Sequence, residues 1–224
     1  MSIKLAVFDM AGTTVSDKNF VARAFQKAFA NQGIEIDAAD ANPLMGYHKP
    51  LAIQMMLEKM GVEPDAEFIE EIHADFENEM MDFYKAAPEV KTMPGAEEFF
   101  LVLKERGVRV ALNTGFSKNI ADVIVERFQW KERGLVDDYI GSNEVEMGRP
   151  YTFMIAELMK RAGVQDPNDV AKIGDTTVDI EEGINAGCRY VIGVTTGACK
   201  EEDLRQMNPT HIIHHLSELS AILQ

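Results

Sequence analysis

Polar residues of a particular kind stand at four junctions between apolar segments of the chain. They are Asp9, Asn113-Thr114-Gly115, Gly148-Arg149-Pro150, and Asp175 with Asp179 four residues later. Carboxylates with room for carbonyl oxygens and water suit a hard cation such as Mg²⁺. A hydroxyl, backbone N–H groups and one fixed cation suit the oxygens of a phosphoryl group. Because an aspartate at such a cation can also attack phosphorus, the set predicts phosphoryl transfer to Asp9.

These residues can meet only if the segments before them are neighbouring parallel strands. Apolar runs predict strands at 3–8, 108–113, 138–141, 170–175, 190–194 and, more weakly, 211–215. Helical spacing predicts helices at 95–106, 117–129, 151–162 and 178–186, and a last helix at the end of the chain. Such alternation is typical of an α/β fold with a doubly wound parallel sheet, whose strands end at one shared edge.

A second, all-helical region separates the first strand from the others. Helices are predicted at 19–32, 50–60 and 66–87, and no strand pattern occurs between 16 and 88. We therefore predict a core domain formed by residues 1–15 and 89–224, with an inserted all-helical cap formed by residues 16–88. An insertion at this point lies above the carboxyl ends of the strands, where open α/β sheets bind ligands.

The composition argues against several classes of partner. The 224-residue chain has a formal net charge of -15, which argues against nucleic acid and against an anionic membrane surface. An anionic substrate would therefore need a local group of cations or N–H donors. The N-terminus lacks the layout of a signal peptide, and no apolar run approaches the roughly 20 residues that span a bilayer. With only two cysteines, Cys188 and Cys199, a cytoplasmic protein with reduced thiols is expected.

The four junctions also resemble the motifs of a known family. "DMAGTT", "NTG", "GRPYTFM" and "GDTTVDIEEGINAG" are similar to the four motifs of the haloacid dehalogenase superfamily of phosphotransferases, and the resemblance covers the whole chain, including a helical cap. It implies a Rossmann-like core and a Mg²⁺ ion held by Asp9, the Ala11 carbonyl and Asp175, with Asp179 in support. It also implies that the phosphoryl group is contacted by Thr13, Thr114, Arg149 and the backbone N–H groups near Gly12 and Gly115.

Two positions favour one branch of this superfamily. Ala11 stands where the usual first motif has a second aspartate, and Arg149 stands where the third motif usually has a lysine. Both departures resemble the phosphonatases. In the phosphatases the second aspartate protonates an alcohol leaving group, and its loss removes acid–base help of roughly 10²–10⁴-fold. Cleavage of a carbon–phosphorus bond instead releases a carbanion, for which a protonated imine is an electron sink.

Lys49 is the candidate amine for such an imine. In "LMGYHKPLAIQMM" it lies three residues after Gly46, and phosphonatases form their Schiff base on a lysine at this spacing from a Met-Gly pair. The resemblance gives Lys49 that role and adds contacts to the substrate from Met45, Gly46, His48 and Phe116. To attack an aldehyde, the amine must lose its proton, so its pKa must be lowered by burial or by a nearby cation such as His48.

Two further positions depart from the phosphonatase pattern. That family carries a histidine where this chain has Ala52 and a tyrosine where it has Phe116. We predict a Mg²⁺-dependent, phosphonatase-like hydrolase that cleaves a small, phosphonoacetaldehyde-like phosphonate. One alternative is a phosphatase for activated phosphate esters or anhydrides, which would need no imine. Another is a non-catalytic relative that retained only the phosphate site.

Several of these residues also have a purely structural interpretation. Thr13 and Thr14 could satisfy groups of a turn, and Arg149 could form a surface ion pair. Asp179 could be an ordinary acid at the start of its helix. Lys49, at the start of a different helix, could simply be solvated. The histidines outside the motifs are interpreted as structural (His73, His211, His214, His215). The cap methionines are packing residues or a homodimer interface (Met55, Met56, Met60, Met80, Met81).

Overall fold

The computed structural model describes residues 3–223, so residues 1, 2 and 224 of the predicted core lie outside the described part. One parallel sheet has the strand order β3-β2-β1-β4-β5-β6. The strands are β1 (Leu5–Phe8), β2 (Arg109–Thr114), β3 (Asp138–Gly141), β4 (Val170–Gly174), β5 (Tyr190–Val194) and β6 (His211–Ile213). This is a doubly wound order: successive strands are added on one side of β1 up to β3 and on its other side from β4. The predicted fold class is therefore confirmed.

Five α-helices lie between β1 and β2 in the described residues, and the first four form the inserted helical region. These four are α1 (Phe20–Asn31), α2 (Ala38–Ala41), α3 (Lys49–Lys59) and α4 (Ala66–Ala86). The remaining helices are α5 (Ala96–Glu105), α6 (Lys118–Arg127), α7 (Phe153–Ala162), α8 (Thr177–Asn185), α9 (Glu201–Gln206) and α10 (Leu219–Ile222). Helices α2 and α9 were not expected, because segments of four and six residues are too short to show a helical period. The cap boundaries at 16 and 88 remain a prediction.

The first strand explains why the sheet is buried on both faces. Successive residues of a strand point to opposite sides, so Ala6 and Phe8 enter the apolar cluster shared with α5 and the cap helices. Leu5 and Val7 enter a second cluster on the other face, with α7 and α8. An apolar run without alternation is what a strand covered on both sides requires.

Aromatic stacking joins the cap helices to each other. The ring centroids of Phe25 on α1 and Phe76 on α4 lie 4.4 Å apart. Helix α6 of the core holds the end of α4, since Arg127 donates hydrogen bonds to the carbonyl oxygens of Tyr84 and Ala87, both at 2.6 Å. The cap therefore packs directly on the core.

The cap methionines fall into two groups. Met56 and Met80 are buried, as the packing interpretation expects, whereas Met60 is 42% exposed. A homodimer through the cap remains a prediction. Within residues 3–223, none of the helices combines the length and apolar character needed to cross a membrane. Cys188 and Cys199 carry free thiols, and the cytoplasmic location remains a prediction.

Candidate active site

The strand order brings the predicted motifs together. Because β1 lies between β2 and β4, the residues that follow these three strands meet at the centre of the carboxyl edge. One cavity of about 40 Å³ opens there. From the core it is lined by Asp9, Ala11, Gly12, Thr114, Gly115, Phe116 and Asp175. From the cap it is lined by Met45, Gly46 and Lys49. Ten of the residues singled out in the sequence therefore share one small cavity.

Three buried carboxylates form a cluster beside this cavity. Oxygen atoms of Asp9, Asp175 and Asp179 all lie within 4.8 Å of one another. Burial, followed by the charges of Asp9 and Asp179, raises the pKa of Asp175 well above its ordinary value. A divalent cation would relieve this repulsion, and carboxylate oxygens are the hard ligands that Mg²⁺ prefers. The residues present therefore fit a Mg²⁺ ion.

The turn after β1 fixes Asp175 in place. The Thr13 hydroxyl donates a hydrogen bond to Asp175 Oδ1 at 2.9 Å, and the backbone N–H of Ala198 donates to Oδ2 at 2.7 Å. Gly12 has φ +85°, and a Cβ there would lie 2.5 Å from Asp175 Oδ2. Only glycine fits so close to the carboxylate. The structure thus places Thr13 on a candidate metal ligand, and its contact with substrate remains a prediction.

The Thr14 hydroxyl satisfies groups of the turn itself. It donates to the carbonyl oxygens of Asp9 and Met10, at 2.9 and 3.2 Å. This is the structural interpretation given to Thr14 in the sequence. The hydroxyl holds the backbone of Asp9 and contributes no ligand to the cavity.

Arg149 is fully buried, so the surface ion-pair interpretation of this residue is wrong. Its guanidinium contacts Asp9 at 2.7 Å and Asp179 at 2.8 Å. Although burial opposes the charged form, the carboxylates of Asp179, Asp9 and Glu182 raise the pKa of Arg149 above its ordinary value. The side chain therefore stays charged and orients the Asp9 carboxylate. Its predicted contact with the phosphoryl group remains a prediction.

Asp179 lies in the first turn of helix α8, as one interpretation of the sequence expects, and its support of a metal ion remains a prediction. Its Oδ2 accepts a hydrogen bond from the backbone N–H of Thr176 at 3.2 Å, and its own N–H donates to Thr176 Oγ1 at 3.3 Å, which together form the capping box of helix α8. Its Oδ1 lies 2.8 Å from both Arg149 and Lys172. Burial opposes ionisation of Asp179, but these two cations lower its pKa overall. A helix-start acid is thus also part of the charged cluster.

Two members of the cluster, Lys172 and Glu182, were missed in the sequence, and Asn113 joins them. Lys172 lies within β4 and donates to Asn113 Oδ1 at 2.7 Å. The Asn113 amide in turn donates to both oxygens of Glu182 on α8, at 2.9 and 2.8 Å. The available signal was a lysine inside the apolar segment "VAKIGD", because a charged side chain is almost never buried unless it is paired.

The charges of this cluster do not balance. Four buried carboxylates, those of Asp9, Asp175, Asp179 and Glu182, lie around two buried cations, Arg149 and Lys172. The buried amine of Lys49 lies in the same cavity as Asp9, so acidic groups still outnumber basic groups. Buried charges need partners, and a divalent cation would offset the excess of acidic groups.

Lys49 is the first residue of α3 and is 3% exposed, so the solvated interpretation is wrong. Its amine donates to the Tyr47 carbonyl oxygen at 3.2 Å. It also lies over the rings of Phe25 and Phe116, at 5.7 and 5.2 Å from their centroids. Burial lowers the pKa of Lys49 to about 8, with Asp9 opposing and Arg149 assisting the shift. A usable fraction of neutral amine therefore exists near neutral pH.

His48 does not line the cavity. Its side chain packs beside Gly148, where an added Cβ would lie 3.1 Å from the Cβ of His48. The cation that assists in lowering the pKa of Lys49 is Arg149 instead of His48. Ala52 is fully buried. Neither His48 nor residue 52 brings an imidazole into the cavity, and the substrate contact of His48 remains a prediction.

A close contact between two loops closes the cap over the core. A Cβ on Gly115 would lie 2.5 Å from the carbonyl oxygens of Gly46 and Tyr47. The loop that precedes Lys49 therefore rests directly on the loop that follows β2. Only a residue without a side chain allows this approach.

Comparisons with known proteins show the family to which the chain belongs. A family model described as haloacid dehalogenase-like hydrolase matches residues 3–187. Phosphonoacetaldehyde hydrolase of Bacillus mycoides strain KBAB4 is 31% identical over 230 residues, spanning 95% of this chain and 84% of that relative. The same enzyme of Bacillus cereus strain B4264 is 28% identical, with the same shares of both chains. The chain belongs to the haloacid dehalogenase-like hydrolases, and it is a hydrolase whose relatives are phosphonatase-like.

Solved structures show the same fold at lower sequence identity. A phosphonoacetaldehyde hydrolase like protein from Oleispira antarctica has a TM-score of 0.87 and 23% identity, covering 100% of this chain and 92% of that chain. A predicted phosphoglycolate phosphatase from Haemophilus somnus 129PT has a TM-score of 0.81 and 19% identity, covering 99% and 98%. At these identities the likeness supports the fold alone.

Proposed function

We propose that this hydrolase is Mg²⁺-dependent and cleaves the carbon–phosphorus bond of a small phosphonate that carries an aldehyde, as phosphonoacetaldehyde does. The observation that carries the proposal is the shared cavity of Asp9 and Lys49, in which the amine is buried with a pKa of about 8. A nucleophile for phosphorus and an amine for an aldehyde are the two groups that such a reaction requires.

Asp9 is the nucleophile of the proposed reaction. Its carboxylate is oriented by Arg149 at 2.7 Å and attacks phosphorus to form an aspartyl phosphate, which water then hydrolyses. Mg²⁺, held by Asp9, Asp175, Asp179 and the Ala11 carbonyl, would supply positive charge at the phosphoryl oxygens. Thr114 and the backbone N–H groups near Gly12 and Gly115 line the same cavity and would hold those oxygens.

Lys49 provides the electron sink. The neutral amine condenses with the aldehyde and gives a protonated imine next to the carbon–phosphorus bond. As the Asp9–phosphorus bond forms, the carbon–phosphorus bond breaks. The electron pair of the broken bond stays on carbon and is delocalised onto the imine nitrogen, which gives an enamine. With a pKa of about 8, roughly a tenth of the amine is neutral at pH 7.

Borohydride trapping tests this proposal. The variant Asp9→Asn keeps Lys49 but lacks the nucleophile, so the imine with phosphonoacetaldehyde should accumulate without release of phosphate. Reduction should add one phosphonoethyl group to Lys49, detected by peptide mass mapping. Lys59, at the other end of α3 and exposed, is the internal control and should stay unmodified.

Two outcomes would favour the alternatives. If the wild type releases phosphate from para-nitrophenyl phosphate while Lys49 stays unmodified, the protein is a phosphatase for activated esters or anhydrides. Release of phosphate from neither substrate, with and without Mg²⁺, would indicate a relative that only binds phosphate.

A further inference from the structure

Asp17 lies in the link between the turn after β1 and helix α1, and it lines the same cavity as Lys49. It belongs to none of the four motifs. Its Oδ1 accepts a hydrogen bond from the backbone N–H of Val21 at 3.0 Å, which ties the carboxyl group to the first turn of α1. The side chain is half-buried. A carboxyl group with no assigned role is thus held in the wall of the candidate active site.

The other ionisable groups of this cavity already have roles in the proposed reaction. Among the described lining residues these groups are Asp9, Asp17, Lys49 and Asp175. Asp9 is paired with Arg149 and is the proposed nucleophile, and Asp175 is a candidate metal ligand. Lys49 is itself the reacting amine. Asp17 is therefore the carboxyl group of this set that has no other part in the proposed reaction.

The surroundings of the amine offer little else for this purpose. Phe25 and Phe116 lie beneath Lys49, and Val21 and Met45 complete the apolar part of the wall. Imine formation, however, requires one group that accepts a proton from nitrogen and donates a proton to oxygen. We propose that Asp17 is the catalytic residue that transfers these protons at Lys49; this inference rests on the proposed function.

Asp17 moves protons in two stages of the proposed imine formation. The neutral amine adds to the aldehyde carbon, so that a C–N bond forms and the carbonyl π electrons move to oxygen. The Asp17 carboxylate takes a proton from the new ammonium nitrogen and passes it to that oxygen, which gives a neutral carbinolamine. After protonation from solvent, the Asp17 carboxyl group protonates the hydroxyl; the C–O bond breaks, water leaves, and the nitrogen lone pair forms the protonated imine.

The electrostatic surroundings of Asp17 support this role. Burial raises the pKa of Asp17, while the backbone N–H groups of Val21 and Asn19 and the charges of Lys49 and Arg23 oppose the shift. A carboxyl group with a raised pKa is a better proton donor near neutral pH.

Tyr84 of α4 also senses the charge of Asp17. Its hydroxyl is fully buried and makes no hydrogen bond with any other described residue. Burial, followed by the charges of Asp17, Asp9 and Asp175, raises its pKa well above the ordinary value. The phenol therefore remains protonated and does not compete with Asp17 as a base.

The test measures the rate of imine formation separately from cleavage. In the Asp9→Asn background, phosphonoacetaldehyde is mixed with protein and quenched with borohydride after increasing times. Adding Asp17→Asn should slow the labelling of Lys49 by about 10²–10⁴-fold, while the final extent of labelling at saturating phosphonoacetaldehyde stays the same. A catalyst changes the rate of approach to an equilibrium and leaves its position alone, whereas a displaced Lys49 would also change the final extent.

Matched variants separate chemistry from folding. Asparagine retains an oxygen that can accept from Val21, and Asp17→Ser is a second variant that keeps a capping oxygen without a carboxyl group. Asp65→Asn is the control, since Asp65 caps α4 by accepting from the Phe68 N–H at 2.8 Å and is remote from the cavity. It should label Lys49 at the parental rate.

Three results would overturn the inference. Labelling of both Asp17 variants at the parental rate would show that no proton passes through this residue. A fall in the final extent of labelling would make Asp17 a positioning residue for Lys49. Absence of label in the Asp9→Asn parent would instead refute the proposed function, and the inference with it.

Discussion

Replacing Lys49 by methionine should make the protein more stable at neutral pH while abolishing imine formation. Lys49 is buried, and its pKa falls from an ordinary 10.5 to about 8. A pKa unit corresponds to about 1.4 kcal/mol, so holding the charged amine in the folded state destabilises it by about 3 kcal/mol. Methionine has a similar length and no charge, and it fits an apolar wall.

Two contributions set the expected size of this effect. The variant gains about 3 kcal/mol at pH 7 by removing the buried charge. It loses the hydrogen bond from Lys49 to the Tyr47 carbonyl oxygen, which contributes about 1 kcal/mol. A net gain of about 2 kcal/mol should raise the melting temperature by roughly 4–8 °C for a chain of this length.

The pH dependence identifies the cause. Below a pH of about 8 Lys49 is protonated in both the folded and the unfolded state, so the full penalty applies to the wild type. Between pH 8 and 10.5 the unfolded chain binds a proton that the folded chain does not, so wild-type stability rises with pH. The advantage of Lys49→Met should therefore shrink across this range and reverse to a deficit of about 1 kcal/mol above it.

Urea unfolding in EDTA at pH 7, 9 and 10.5 measures these differences without a contribution from divalent cations. Lys59→Met is the matched control, because Lys59 lies on the same helix but is exposed and paired with Asp40 at 2.8 Å. It should show no gain at pH 7. A Lys49→Met protein that is no more stable than the wild type at pH 7, or whose advantage does not change with pH, would refute the buried-charge reasoning.

Three further outcomes are expected. Asp9→Asn should release no phosphate from phosphonoacetaldehyde, since an amide is a poor nucleophile; measurable turnover would remove Asp9 from that role. Gly115→Ala would place a methyl group 2.5 Å from two cap carbonyl oxygens. Displacement of the loop before Lys49 by about 1 Å should lower kcat/KM by about 10²-fold; unchanged kinetics would argue against closure through this contact. Added Mg²⁺ should raise the melting temperature of the wild type but not of Asp175→Asn; equal shifts would place the cation elsewhere.

The strand ends could be predicted from the sequence because their signals are local. An apolar run that stops at a carboxylate, as at Asp9 and Asp175, fixes both the strand and its functional edge. The charged network behind them could not be predicted in the same way. Asn113 lies 59 residues from Lys172 and 69 residues from Glu182 in the chain, and only the assembled sheet shows that they contact each other. Their pairing depends on three-dimensional proximity that no local pattern carries.

Asp17 illustrates a second limit. It lies in a short link, outside any periodic segment, and a carboxylate before a helix is usually only a cap. Its proposed role depends on the folded link between β1 and α1, which places Asp17 in the same cavity as Lys49. His48 shows the converse, since adjacency to Lys49 in the sequence does not bring its imidazole to the cavity.

The seating of the Gly46 loop on Gly115 links the reactivity of the amine to the position of the cap. Lys49 begins helix α3 of the predicted cap, whereas Asp9 directly follows β1 of the sheet. When the two loops separate, water would surround the amine, and its basicity would return towards that of a free lysine. In the proposed reaction, the open protein would hold Lys49 as an unreactive ammonium while the substrate enters, and closure of the cap would produce the reactive neutral amine. Movement of the Gly46 loop would thus determine when Lys49 binds the aldehyde covalently.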